Sequence, residues 1–68
     1  MIGTMNEALR TVREMTTAQV NSLVYWLELE GWYRENKRRT RGFCTDVVIF
    51  NWNYDRPAIL RAIYNALG

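Results

Sequence analysis

The sequence predicts an α+β fold, a compact single domain of 68 residues with the element order ααββα. Three observations predict it. The first 31 residues hold two stretches with helix-start signals and helical spacing of apolar residues. Residues 32–52 have the composition of two strands around a polar loop. A capping aspartate and a proline then begin a C-terminal helix. One domain, 1–68, follows, with residues 1–3 expected to be frayed.

Composition excludes several classes of protein. The chain is 49% hydrophobic, has three Trp and four Tyr, and carries a net charge of +2, which is unlike a disordered chain. A single cysteine and no histidine rule out an internal disulfide and the usual zinc ligand sets. No apolar run approaches the ~18 residues of a membrane span, and no signal peptide is recognisable. We therefore expect a cytoplasmic protein with no metal, cofactor or membrane contact.

The first helix begins after Thr4, because Glu7 three residues later completes a capping box. It ends near Met15, since Thr16 and Thr17 prefer caps to helix interiors. Its apolar residues share one face: Met5, Ala8, Leu9, Val12 and Met15.

The second helix has signals at both ends. Thr16 and Gln19 form a capping box, and Met15 and Val20 are spaced for a hydrophobic staple across it. Gly31 stands where a left-handed residue ends a helix. The predicted buried face consists of Val20, Leu23, Val24 and Leu27.

A β-hairpin is predicted next. Trp32–Glu35 and Phe43–Trp52 are rich in aromatic and β-branched residues, and the polar loop Asn36–Gly42 lies between them. Val47–Phe50 is apolar on both faces of the second strand, so we expect this half to be covered on both sides or to meet a partner.

The C-terminal helix is predicted to begin after Asp55, with Pro57 in its first turn and Gly68 at its end. Its predicted buried face consists of Ile59, Leu60, Ile63 and Leu67.

The segment Arg34–Arg41 holds five of the nine basic residues and one acidic residue. Its cations can bind phosphates as point charges or guanidinium forks. They are Arg34, Lys37, Arg38, Arg39 and Arg41. Two alternatives remain: the segment binds an acidic protein surface, or it is a solvated turn that keeps a hairpin edge from aggregating.

Residues 16–50 resemble the second half of a winged helix-turn-helix domain. A capped helix ends in Leu27-Glu28-Leu29-Glu30-Gly31, the extended pair Trp32–Tyr33 follows, and Lys37–Arg41 falls at the tip of a two-stranded wing. The resemblance implies that the second helix faces double-stranded DNA and that the wing contacts phosphate. Gln19, Asn21 and Ser22 would then read base edges, since amide side chains can pair with adenine.

Tyr25, Trp26 and Leu29 lie away from the predicted core stripe of the second helix. They are either core residues of an aromatic-rich small domain or an exposed patch that binds a host protein or a second copy of the chain.

No catalytic constellation is present. Without histidine neither serine nor cysteine can be activated in the usual way, and Cys44 is better explained as a small hydrophobic residue. We predict that the protein is not an enzyme, takes no small-molecule substrate, and is a small DNA-binding regulator of transcription or replication. The alternative is a protein-binding regulator or inhibitor, of the kind that mobile elements encode, acting through the second helix or the basic segment.

Overall fold

The computed structural model describes residues 1–32 and 38–68, and these form four α-helices. They are α1 (Met5–Glu14), α2 (Thr17–Leu29), α3 (Arg41–Asn51) and α4 (Arg56–Leu67). No strand is present in the described part of the chain, so the predicted α+β fold with its β-hairpin wing is wrong. The domain is all-α, and the second predicted strand is helix α3.

The predicted N-caps of α1 and α2 are confirmed, but the predicted capping box of α1 is not, because the Glu7 carboxylate accepts from the Gly3 N–H at 3.0 Å. Thr4 and Thr16 accept hydrogen bonds from the backbone N–H groups of Glu7 and Gln19, both at 3.1 Å. The Gln19 side chain accepts in return from the Thr16 N–H at 2.9 Å, which completes the capping box. Two residues, 15 and 16, separate the helices.

The end of α2 is a Schellman motif around Gly31, whose φ is +94°. Gly31 N–H donates to the Glu28 carbonyl at 3.0 Å, and Trp32 N–H donates to the Leu27 carbonyl at 2.9 Å. The prediction that Gly31 ends this helix in the left-handed region is therefore confirmed. Trp32, predicted to begin a strand, instead completes the motif, and residues 33–35 of that strand lie outside the described residues.

Helix α3 forms where a strand was predicted because its start and its apolar spacing are both helical. Thr40 is the N-cap and its hydroxyl accepts from Phe43 N–H at 3.4 Å. Phe43, Cys44 and Val48 are buried, and Val47 is partly buried beside them, which is the i, i+1, i+4, i+5 pattern of a helix face. The following residues, Ile49 and Phe50, fall on the outer side and are exposed.

The C-terminal helix begins as predicted, with the Asp55 carboxylate accepting from Ala58 N–H at 3.3 Å. Its buried face was predicted only in part. Ile59 and Ile63 are fully buried and Leu60 is partly buried, but Leu67 is 39% exposed. Small residues at four-residue spacing complete the buried face instead: Ala58, Ala62 and Ala66.

One core joins all four helices. Its fully buried side chains include Val12 of α1, Leu23 and Leu27 of α2, Val48 of α3, and Ile59 and Ile63 of α4. The largest helix–helix contact joins α2 and α4, the next joins α1 and α3, and α2 also contacts α3. The end of α2 lies beside the first half of α4, because Glu30 pairs with Arg61 and the Trp32 ring meets the Tyr54 ring. These two helices are therefore antiparallel.

Candidate interaction surfaces

The basic segment is partly built into the fold. Arg34 and Lys37 lie outside the described residues. Arg38 is exposed. Arg39 forms an ion pair with Glu28 of α2, with 3.0 Å between Nε and Oε2. At least part of this segment therefore holds the helices together, whereas the DNA-binding prediction assigned all five cations to an external partner.

Arg41 has a structural contact of its own. Its Nη1 donates to the carbonyl oxygens of Val12 at 2.5 Å and Arg13 at 3.1 Å. These carbonyls belong to the last turn of α1, where the Val12 oxygen also accepts from the Met15 N–H at 3.3 Å and the helix dipole favours a cation. The arginine thus ties the start of α3 to the end of α1.

The three residues predicted to read bases lie in the first half of α2. Asn21 is exposed and Ser22 is half-buried, while the Gln19 amide oxygen is engaged by the Thr16 backbone in the capping box. Arg39 contacts α2 at Glu28, which is nine residues beyond Gln19. At the helical rise this is about 13 Å along the axis from the predicted base readers. Their role as base readers stays a prediction.

The outer side of α2 separates the residues of the predicted patch. Tyr25 is 57% exposed and Leu29 is 59% exposed, whereas Trp26 is half-buried and packs against the core. The Tyr25 and Trp26 rings meet edge to face, with 5.3 Å between their centroids. The sequence left open whether these three residues are core or an exposed patch. Trp26 packs at the edge of the core, and Tyr25 and Leu29 form an exposed apolar strip.

Both carboxylates near the end of α2 are held by neighbouring elements. Glu28 pairs with Arg39, and Glu30 accepts two hydrogen bonds from the Arg61 guanidinium, at 3.0 and 3.1 Å. The hydrogen bonds from Arg61 lower the pKa of Glu30, and Glu30 in turn raises the pKa of Arg61. The exposed strip of α2 is thus flanked on both sides by neutralised charge.

A second aromatic group was missed by the sequence analysis, because Trp32 and Trp52 were assigned to strands and Tyr54 lies between the predicted elements. The Trp32 and Tyr54 rings meet edge to face at 5.8 Å, and Tyr54 is 80% exposed. The buried Trp32 indole N–H has no acceptor among the described residues. Arg56 lies over the Trp52 ring, 4.8 Å from its centroid. The cap signal at Thr40 would have placed Trp52 and Tyr54 at the end of a helix.

Cys44 is fully buried, and burial raises the pKa of its thiol to about 11, against the opposite effect of the nearby Arg41 charge. The thiol is therefore protonated at neutral pH and enclosed in the core. Within residues 1–32 and 38–68, no three His, Cys, Asp or Glu residues are grouped so that they could hold a metal ion.

None of the helices in the described part of the chain is long and apolar enough to cross a membrane. Comparison of the chain with protein-family models, with curated proteins and with solved structures gives no match. The resemblance to winged helix-turn-helix domains therefore rests on the residues of 16–50 alone, and the described part of that stretch contains no strand for a wing.

Proposed function

We propose that this chain is a small protein-binding module and that its binding face is the outer side of α2. The observation that supports the proposal is the distribution of apolar residues around this helix. Val20, Leu23, Val24 and Leu27 fill the core side, yet Tyr25 and Leu29 on the opposite side are more than half exposed. A helix with large apolar side chains on its outer side as well as on its core side is normally covered on both. In the isolated domain only part of α2 is covered.

The surroundings of the strip suit a protein partner. Interfaces of this kind have an apolar centre, enriched in Tyr and Trp, within a polar rim. Tyr25 and Leu29 supply the centre, and the Trp26 ring contacts the Tyr25 ring edge to face and packs against the core. The rim consists of Asn21 and the two ion pairs of Glu28 and Glu30. A partner that covers the strip need not bury an unpaired carboxylate from either flank.

DNA binding receives less support from the same geometry. The β-hairpin wing that was expected to contact phosphate is contradicted, because the described residues contain no strand. Helix α2, Thr17–Leu29, has Glu28 as its only charged residue. Arg39 and Arg41, two of the expected phosphate contacts, are held by Glu28 and by the end of α1. Phosphate contacts would have to draw their affinity from the remaining cations.

The experiment compares two matched substitutions of exposed aliphatic residues on different helices. Leu29→Asp disrupts the α2 strip, and Ile49→Asp makes the same chemical change on the outer side of α3, where the side chain is 48% exposed. Tagged chains are used to capture partners in the cells of origin, and each captured protein is then purified and titrated. We expect Leu29→Asp to weaken binding at least ~10-fold, a loss of about 1.4 kcal/mol. Ile49→Asp should leave the affinity unchanged.

The same variants are titrated with mixed-sequence duplex DNA at about 50 and 200 mM salt, the range in which phosphate contacts are revealed. Circular dichroism of each variant shows whether the helices are retained. If binding to a purified protein is insensitive to Leu29→Asp, the α2 face is not the site. If the only ligand is duplex DNA, bound tightly at low salt and released at high salt, the chain is not a protein-binding module of the proposed kind.

A further inference from the structure

The outer side of α2 carries a second regularity, in the sizes of its side chains. Four positions, which we call the seam, line this side at spacings of four, three and four residues, the spacing of one helix face: Ala18, Ser22, Tyr25 and Leu29. Ala18, Tyr25 and Leu29 are exposed and Ser22 is half-buried. The first half of the seam is therefore small and the second half is large.

We propose that the partner of this face is a second copy of the chain, with the two α2 helices packed antiparallel about a two-fold axis; the inference rests on the proposed function of the α2 face. Placing the axis level with Leu23 and Val24 brings Ala18 opposite the second copy's Leu29. The same axis brings Ser22 opposite the second copy's Tyr25. Every small seam residue then meets a large one, and a two-fold axis repeats each pair.

The parallel arrangement lacks this fit. It places Leu29 against Leu29 and Ala18 against Ala18, so that the helices are forced apart at one end and leave a gap at the other. Because Arg39 and Arg61 pair with Glu28 and Glu30, these carboxylates do not distinguish the two orientations. The sizes of the seam residues select the antiparallel arrangement.

The contact is short. Helix α2 has 13 residues, which at the helical rise is about 20 Å. A single helix pair of this length lies at the small end of specific interfaces, so we expect a dissociation constant in the micromolar range. The dimer should therefore dissociate on dilution, which makes it measurable.

The test is sedimentation of the purified full chain, from about 10 µM to 1 mM, with three variants of one seam pair. Leu29→Ala leaves two gaps in the dimer, and Ala18→Leu places two leucines where each pair has room for one. Each should weaken dimerisation at least tenfold. The double variant Ala18→Leu, Leu29→Ala restores one large and one small residue to each pair, and we expect it to recover most of the wild-type affinity.

Non-specific association of an apolar surface gives a different pattern. Ala18→Leu adds apolar area and would then strengthen association, and the double variant would show no recovery. That pattern would overturn the inference, as would a wild-type chain that stays monomeric throughout. A monomeric chain whose capture of another protein still depends on Leu29 would overturn self-pairing and leave the proposed function intact. A chain that stays monomeric and whose capture of another protein does not depend on Leu29 would overturn both the self-pairing and the proposed function. Circular dichroism confirms that each variant is folded.

Discussion

Two glycines give a stability test of the fold, because alanine should act in opposite directions at the two positions. Gly31 has a φ of +94°, in the region that favours glycine, and a Cβ there would meet nothing within 4 Å. The cost of Gly31→Ala is therefore backbone strain with no steric clash. A left-handed conformation costs an L-residue roughly 1–2 kcal/mol, so we expect the free energy of unfolding to fall by about that amount.

Gly42 is the matched control. It lies in the first turn of α3, and the nearest atom to an added Cβ is the Thr40 Oγ1 at 3.6 Å, an ordinary van der Waals contact. Alanine loses less conformational entropy than glycine on entering a helix. We therefore expect Gly42→Ala to raise the free energy of unfolding by about 0.5–1 kcal/mol.

The predicted hairpin gives the opposite expectation for Gly42. There the residue ends a polar loop before a strand, where the freedom of glycine is useful and alanine, with its low strand propensity, gains nothing. Urea denaturation followed by circular dichroism measures both variants against wild type. In a domain of this size 1 kcal/mol also shifts the melting temperature by roughly 4–8 °C. A destabilising Gly42→Ala, or a neutral Gly31→Ala, would refute the assignment of these two positions.

Three further outcomes follow from the described contacts. Burial raises the pKa of the Cys44 thiol to about 11, so the thiol should react with Ellman's reagent at pH 8 only as fast as the chain unfolds. Immediate reaction of the native protein would contradict the position of Cys44 in the core. Because hydrogen bonds from Arg61 lower the pKa of Glu30, the pair should stabilise the fold above the ordinary carboxyl value of 4.5 and lose that contribution as pH falls through the lower folded value. Thermal melts of Glu30→Gln should therefore show a weaker loss of stability on acidification than wild type. Arg41→Met keeps the aliphatic stem but removes the guanidinium donors from the Val12 carbonyl, so it should destabilise the chain by about 1–3 kcal/mol in urea denaturation. The control Arg38→Met, at an exposed position, should change the free energy of unfolding by less than about 0.5 kcal/mol.

The helices whose ends carry side-chain signals were predictable from the sequence. Thr4, Thr16 and Asp55 each accept the backbone hydrogen bond that their position implied, and Gly31 takes the left-handed conformation. These signals are local: a hydroxyl or carboxylate reaches a donor three residues away without help from the rest of the chain. The apolar spacing along α2 is likewise local, and the four residues predicted for its core stripe are the four that are buried.

Helix α3 was not predicted because strand propensity depends strongly on context. Phe43, Val47, Val48 and Ile49 favour strands only where a neighbouring strand and a half-buried sheet surface are available. The apolar run Val47–Phe50 would need cover on both faces of a strand. In the helix, Val48 is buried and Ile49 points outward. The cap at Thr40 was the local signal that distinguished the two, and it was read as part of a loop.

The candidate site could be predicted only in outline, because charge partners are set by tertiary structure. Five cations in eight residues indicate an anionic partner, and for Arg39 that partner is Glu28 of the same chain. Similarly, the exposure of Tyr25 and the partial burial of Trp26 depend on which flanks of α2 the other helices cover. Sequence spacing places residues around one helix and leaves open how many of its sides meet another element.

Folding and association are connected through α2, and this connection gives a final test. A domain of 68 residues buries a smaller fraction of its surface than a larger one and is correspondingly marginal. If a second copy covers Tyr25 and Leu29, dimerisation adds apolar burial to the element that already holds the core together. Because the native state alone dimerises, the melting temperature should rise with protein concentration. We expect that rise for the wild-type chain and for the double variant of Ala18 and Leu29, whereas for Leu29→Ala it should begin only at about tenfold or higher protein concentration. Melting temperatures that are the same at all concentrations for all three would show that the outer side of α2 contributes nothing to the stability of the chain by pairing with itself.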